Sequence, residues 1–306
     1  MQQQSPRSLQ VFATFTLAAV LGVILWGAYV RASGSGAGCG AHWPVCNGTV
    51  VPRAPSTQTL IEYTHRLTSG LSLLLVVALF FFAVRVHPRG HTVRRAAGAS
   101  LVLMLVEAAL GAGLVLLELV ALDASVRRAV AMSLHLTNTF VLLAALGTCV
   151  WHTWVGPLRG RVRLSAGLLG ALAGFVVVGI SGAIAALGDT LAQLGVKNTF
   201  VELLIALRIS HPVLAVAECL ALLAVGAQLW SQRRDARRPL NWLAGLFALQ
   251  LVVGVSNVAL AAPVWLQLVH LLVADCVWLA LVVVARVAMT AAETEPAVPQ
   301  PSMRLA

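Results

Sequence analysis

The sequence predicts an all-α integral membrane protein with eight transmembrane helices arranged as two pseudo-repeated four-helix bundles. Three observations carry that prediction. Of 306 residues, 59% are hydrophobic and 10% charged, and the mean hydropathy of +0.89 leaves too little polar surface for a water-soluble globule. Apolar runs long enough to cross about 30 Å of hydrocarbon at about 1.5 Å per residue recur along the chain. Four histidines, His65, His135, His211 and His270, fall one each on the second, fourth, sixth and eighth of these runs, all near the same end.

The runs lie at about 9–30, 60–84, 96–118, 129–151, 165–187, 202–230, 240–260 and 264–287. The first lacks a small-residue cleavage site behind it and reads as a span, not as a removed signal peptide. The net charge of +10 does not point to nucleic acid, because the arginines lie between spans. Arg7, Arg85, Arg89, Arg94, Arg95, Arg159, Arg161, Arg163, Arg233, Arg234, Arg237, Arg238, Arg286 and Arg304 fall on one side, 14 of the 21 basic residues. Arg31, Arg53, Arg127, Arg128 and Lys197 fall on the other. Lys and Arg concentrate on cytoplasmic loops, so both termini are expected in the cytoplasm and the histidines near the outer face. Trp151, Trp154, Trp230, Trp242 and Trp265 at span ends read as interface anchors. Residues 291–306, rich in proline and small residues, are expected to form a disordered cytoplasmic tail.

The outer loop from Gly34 to Thr59 carries Cys39 and Cys46. An oxidising compartment permits a disulfide there; a zinc site using His42 is the alternative, although tetrahedral structural zinc wants four ligands. Cys149, Cys219 and Cys276 read as packing residues inside apolar helices.

The halves align when His65 is set on His211 and His135 on His270, placing Glu107 opposite Gln250. This gives an amino-terminal half at 1–158 and a carboxy-terminal half at 159–290. Two imidazoles facing each other at one depth suit axial ligation of haem iron, whereas zinc or copper would want further ligands nearby. Three residues before the first-pair histidine stands Glu62, and at the equivalent place in the second half stands Arg208. A guanidinium there suits a haem propionate, as does Arg66 in the first half. Glu62 suits proton acceptance or stabilisation of positive charge developing at a macrocycle edge; a simple ion pair with Arg66 or with a loop arginine is the structural alternative. Glu218, seven residues after His211 and on its face, and Asp275, five residues after His270, read as carboxyls paired to neighbouring helices or as proton relays. Gly111, Gly113, Gly179 and Gly182 read as points of close helix approach.

Glu62-Tyr63-Thr64-His65-Arg66, Cys39 and Cys46 around Trp43-Pro44, Ser133-Leu134-His135, and Gln267 to Leu272 with Asp275 together resemble the haem A synthase family over about residues 10–290. The resemblance implies a bacterial cytoplasmic-membrane oxidase that converts a methyl group of haem O to a formyl group by successive hydroxylations, for cytochrome oxidase. It implies haem O between His65 and His135 as substrate, haem b on His211 and His270 as cofactor, Glu62 as the catalytic carboxylate, and a Cys39–Cys46 disulfide. Pro212 departs from the arginine expected after His211, which moves propionate binding in that half to Arg208. The expected partners are the lipid bilayer, haem O, an electron donor, the enzyme that makes haem O, and a second copy of the chain. The competing reading is a dihaem b-type membrane cytochrome exchanging electrons with quinol.

Overall fold

The computed structural model describes residues 5–156 and 164–290. Its helices run α1 Arg7–Ala32, α2 Thr57–Val86, α3 Thr92–Leu116, α4 Val126–Val155, α5 Ala166–Gln193, α6 Thr199–Leu207, α7 Ser210–Gln232, α8 Arg237–Ala259 and α9 Val264–Ala288, with no strand among the described residues. Eight membrane spans result, α6 and α7 together forming the sixth. The expected boundary between the halves at 158/159 and the expected tail at 291–306 lie outside the described residues.

Local chemistry sets the ends. Ser56, Ser125, Ser165 and Asn198 each accept a hydrogen bond from a backbone N–H three residues on, capping α2, α4, α5 and α6. Pro6 and Pro263 precede α1 and α9, where a missing N–H costs nothing. α2 and α4 begin three residues before their apolar runs, because the caps extend the helices through polar first turns.

The sixth run differs from the expectation of an unbroken helix. It breaks at Arg208 and Ile209, between α6 and α7. The cause is Pro212, which has no N–H to donate and whose ring would press on the carbonyl four residues back, that of Arg208. His211 instead donates its backbone N–H to Arg208 O at 3.3 Å, a tighter turn.

α1 packs on α2 and α4, α3 on α2 and α4, α5 on α6 and α7, and α8 on α9. The two sets of four spans meet where α4 packs on α5 and α9, and α1 on α9. An aromatic cluster fixes this seam: Phe140, Phe175 and Trp278 lie 5.3–5.7 Å apart, and Trp278 donates its indole N–H to Phe140 O at 2.7 Å. Gly179 admits it, since a Cβ there would collide with the Phe140 ring. The histidine-bearing helices stand apart within each set. α2 does not pack substantially on α4, nor α7 on α9, which leaves room between them for a flat ligand. Apolar side chains such as Val11, Phe15, Leu74, Leu220 and Val255 face outward, as lipid contact requires.

Candidate functional site

All four histidines lie near the amino-terminal ends of their helices, on the same end of the molecule as the cysteine loop. Each is seated by the preceding span. The His65 ring lies on α1 at Gly27, where a Cβ would come within 2.9 Å of its Cε1. His211 lies on Gly182 of α5 at 2.9 Å and His270 on Gly254 of α8 at 3.1 Å, measured in the same way. His135 sits beside α3, with Nδ1 3.4 Å from Glu107 Oε1. Glu107 also accepts from Asn138 and Thr139 of α4, and Gln250 meets His270 Nε2 at 3.2 Å. The equivalent polar residues of α3 and α8 therefore both bind across to the next helix. Sequence reasoning missed Gly27 and Gly254 as seats, although Gly254 lies in the block that aligns the halves. Gly179 and Gly182 are close-approach points as expected; Gly111 and Gly113 are not, having open space where a Cβ would be.

His211 and His270 face one another with ring centroids 6.2 Å apart and planes at 83°. Two imidazoles bound on opposite sides of one metal by bonds of about 2 Å place their centroids roughly 6 Å apart, so the spacing fits a shared iron. His211 Nδ1 is already held, 3.1 Å from Ser181 Oγ and 3.2 Å from Val178 O. That is the bond to a backbone carbonyl that leaves Nε2 with its lone pair for a metal. Nδ1 of His65 and His270 and Oε1 of Gln250 are buried with no hydrogen-bond partner, the signature of polar groups that await a ligand or second partner. The second-half pair fits the two imidazole ligands of a haem iron, and the first-half pair offers the same donor atoms.

Glu62 is 3% exposed. Its Oε2 accepts the Cys39 backbone N–H at 2.8 Å, and its Oε1 pairs with Arg66. Arg66 also donates to the carbonyls of His42 and Val45. Cys39 and Cys46 form a disulfide, so they are not available as zinc ligands, and no metal-binding group of three or more His, Cys, Asp or Glu occurs among the described residues. The loop lies directly on the first turn of α2. Thr59 Oγ1 donates to Gly38 O at 2.8 Å, and a Cβ at Gly38 would collide with the Gln58 carbonyl, so only glycine fits. The cysteine loop, Glu62 and Arg66 are thus one unit roofing the His65 site.

The other expected residues are placed as follows. Arg208 is exposed at the helix break and contacts Asp189 at 3.4 Å. Glu218 and Asp275 are buried, and Glu218 Oε1 and both Asp275 carboxyl oxygens have no partner. The expected pairing with a neighbouring helix is not made by these atoms among the described residues; Glu218 lies against Gly174, whose missing side chain makes room for the carboxyl. Arg31, which the sequence places only on the outer side, reaches from α1 into α5 and α9.

Fold and site together define a polytopic membrane protein with histidines brought together at one end of its helices and a disulfide-closed loop over one of the pairs. The sequence model of the cytochrome oxidase assembly protein family matches residues 10–282. The chain is 47% identical over 289 residues to a protein of Thermus thermophilus named Protoheme IX farnesyltransferase, an alignment covering 88% of this chain and 47% of that protein. It therefore spans about half the length of that relative. It is 29% identical over 271 residues to the Heme A synthase of Symbiobacterium thermophilum, covering 81% of this chain and 85% of that one. Over 109 residues, 36% of this chain and 37% of the relative, it is 38% identical to the Heme A synthase of Alkalihalophilus pseudofirmus. The chain belongs to the cytochrome oxidase assembly protein family, the haem A synthase family.

Proposed function

We propose that the protein is a haem A synthase: it takes haem O between His65 and His135, the substrate site of the half at 1–158, and oxidises one ring methyl group to a formyl group. The observation that carries this reading is the asymmetry between the halves. A buried carboxylate, Glu62, stands one turn from His65, while the equivalent position in the second half holds Arg208. A carboxylate suits the half in which C–H bonds are broken, since it stabilises positive charge on the substrate and accepts the released proton. The second half, 159–290, holds haem b on His211 and His270, and this group supplies one-electron transfer when bound.

Each hydroxylation replaces a C–H bond by C–OH with water as the oxygen source, releasing two protons, which Glu62 first accepts, and two electrons, which pass to an oxidised electron carrier of the membrane; the second gives a geminal diol that loses water to the aldehyde. The chain's own residues orient the substrate and move the proton. Arg66 and the Cys39 N–H hold Glu62 in one position, and the disulfide loop covers it from water. Arg66 in the first half and Arg208 in the second are at the correct end for propionates. Arg208 is loosely held by Asp189; Arg66 is committed to the loop. The reading puts the protein in the bacterial cytoplasmic membrane with both termini inside, supported by the arginine-rich ends. It also takes haem O from a prenyltransferase, a pairing supported by the printed name of the Thermus relative and by its additional length.

Glu62→Gln should keep both haems bound and reduce turnover by about a hundredfold, within the range for loss of a general base. An unaltered rate, read as pigment conversion per protein, would remove Glu62 from the chemistry; no conversion by the wild type, with both haems tightly held, would favour the quinol-linked dihaem cytochrome.

A further inference from the structure

Arg31 carries a positive charge into the seam between the halves. Its Nη1 donates to Ala186 O at 2.9 Å and Thr190 Oγ1 at 2.8 Å on α5, and its Nη2 to Gln267 Oε1 at 3.2 Å on α9. These partners fix its depth. Ala186 lies four residues beyond Gly182, the seat of His211, and Gln267 lies three residues before His270. On both helices the guanidinium is therefore one turn outward of the imidazole pair.

All three partners are neutral. No carboxylate lies within 4 Å of Arg31 among the described residues, since the nearby Asp189 is engaged by Arg208, although it acts on Arg31 at longer range. A guanidinium drawn into the seam between helices without an ion-paired carboxylate is costly unless an anion joins it. Of the five N–H groups of Arg31, three are used; Nε–H and one Nη2–H remain for a bidentate acceptor.

We infer that Arg31 is the carboxylate-binding site for a porphyrin held by His211 and His270, so that the first helix of one half anchors the haem of the other. This rests on the haem assignment proposed above. It gives the second half a buried propionate site that the exposed Arg208 does not provide, and it makes occupancy of the second half depend on α1.

The test uses the full-length protein in detergent, stripped of pigment and titrated with haem B or with haem B dimethyl ester, following the low-spin bis-imidazole absorption. Wild type should bind the free acid about tenfold or more tightly than the ester, as loss of a charge-assisted hydrogen bond predicts. Arg31→Gln should bring the two affinities within about threefold and shift the haem midpoint potential downward. Undiminished discrimination and an unchanged potential in Arg31→Gln would overturn the inference. If Arg31→Gln binds neither porphyrin, recovery in Arg31→Lys supports an anion-holding charge, whereas failure in both variants shows a helix tie only and overturns it. His211→Ala and His270→Ala, each combined with His65→Ala to silence the first-half pair, serve as the control: persistence of the low-spin signal in both would overturn the haem assignment itself, separately from Arg31.

Discussion

Glu62 and Arg208 occupy equivalent positions, yet their surroundings differ as much as their charges do. Glu62 is locked by Arg66 and the Cys39 N–H, while Arg208 sits at a helix break with one long contact to Asp189. Both residues and all four histidines were legible in the sequence, because ionisable groups inside apolar runs are rare enough to stand out. The seats beneath the histidines were not, since a glycine in an apolar helix has many uses. At Gly27 the use is specific. Gly27→Ala would force a methyl group to 2.9 Å from His65 Cε1, and overpacking of this kind costs about 1–3 kcal/mol. It is expected to weaken haem binding in the first half while the second-half spectrum persists; equal loss from both halves in spectral titration would contradict that. A second residue-scale prediction concerns the opposite end. His87 is held against Ser5 Oγ at 2.9 Å and stacked on His91 at 3.9 Å. Burial, and then the charge of His91, push it down from the ordinary 6.5 to about 4. The unfolded chain therefore takes up a proton that the folded one refuses as pH falls from about 6.5 towards 4. Melting temperature should drop over that window, and His87→Asn should flatten the drop; the same slope in variant and wild type would exclude His87 as its source.

At the scale of elements, two features decide what the helices can hold. The outer loop carried a sequence signal in its cysteines, and the structure adds that its carbonyls clamp Arg66 and its Cys39 N–H holds Glu62. No sequence pattern announces a backbone carbonyl as a partner, so the loop's role as a roof was not legible. Removing the disulfide should be felt at Glu62. A bond closing a loop with a sequence separation of 7 contributes about 2–3 kcal/mol in the chain-entropy account. Cys39→Ser with Cys46→Ser should lower thermal stability by about that amount and reduce turnover more than haem content, as measured by melting and pigment analysis on one preparation. Parallel losses of turnover and haem would mean that the loop serves binding alone. The sixth span shows the converse case. Pro212 was visible in the sequence as a departure from the family pattern, and its effect, a break at Arg208 and Ile209, follows from backbone chemistry alone. The break frees the end of α6 from the line of α7, so that Arg208 faces outward.

For the whole molecule, the eight spans and the division of charge were written in composition and spacing, because a bilayer constrains length and hydropathy so tightly. The seam between the two sets of spans was not. Phe140, Phe175 and Trp278 had no distinguishing pattern, and Arg31 looked like one basic residue at the end of a helix. Their roles come from contacts between segments more than a hundred residues apart, which a single sequence does not encode locally. That seam joins a site that would change its porphyrin to a site that would keep one, through α1, α4, α5 and α9. The central claim concerns what leaves the first site. The most direct measurement is extraction and chromatography of pigments from cells expressing this protein together with a source of haem O. The account predicts haem A, or the hydroxymethyl intermediate before it. Recovery of haem O and haem B alone, from cells in which the folded protein is present and carries its low-spin spectrum, would contradict it.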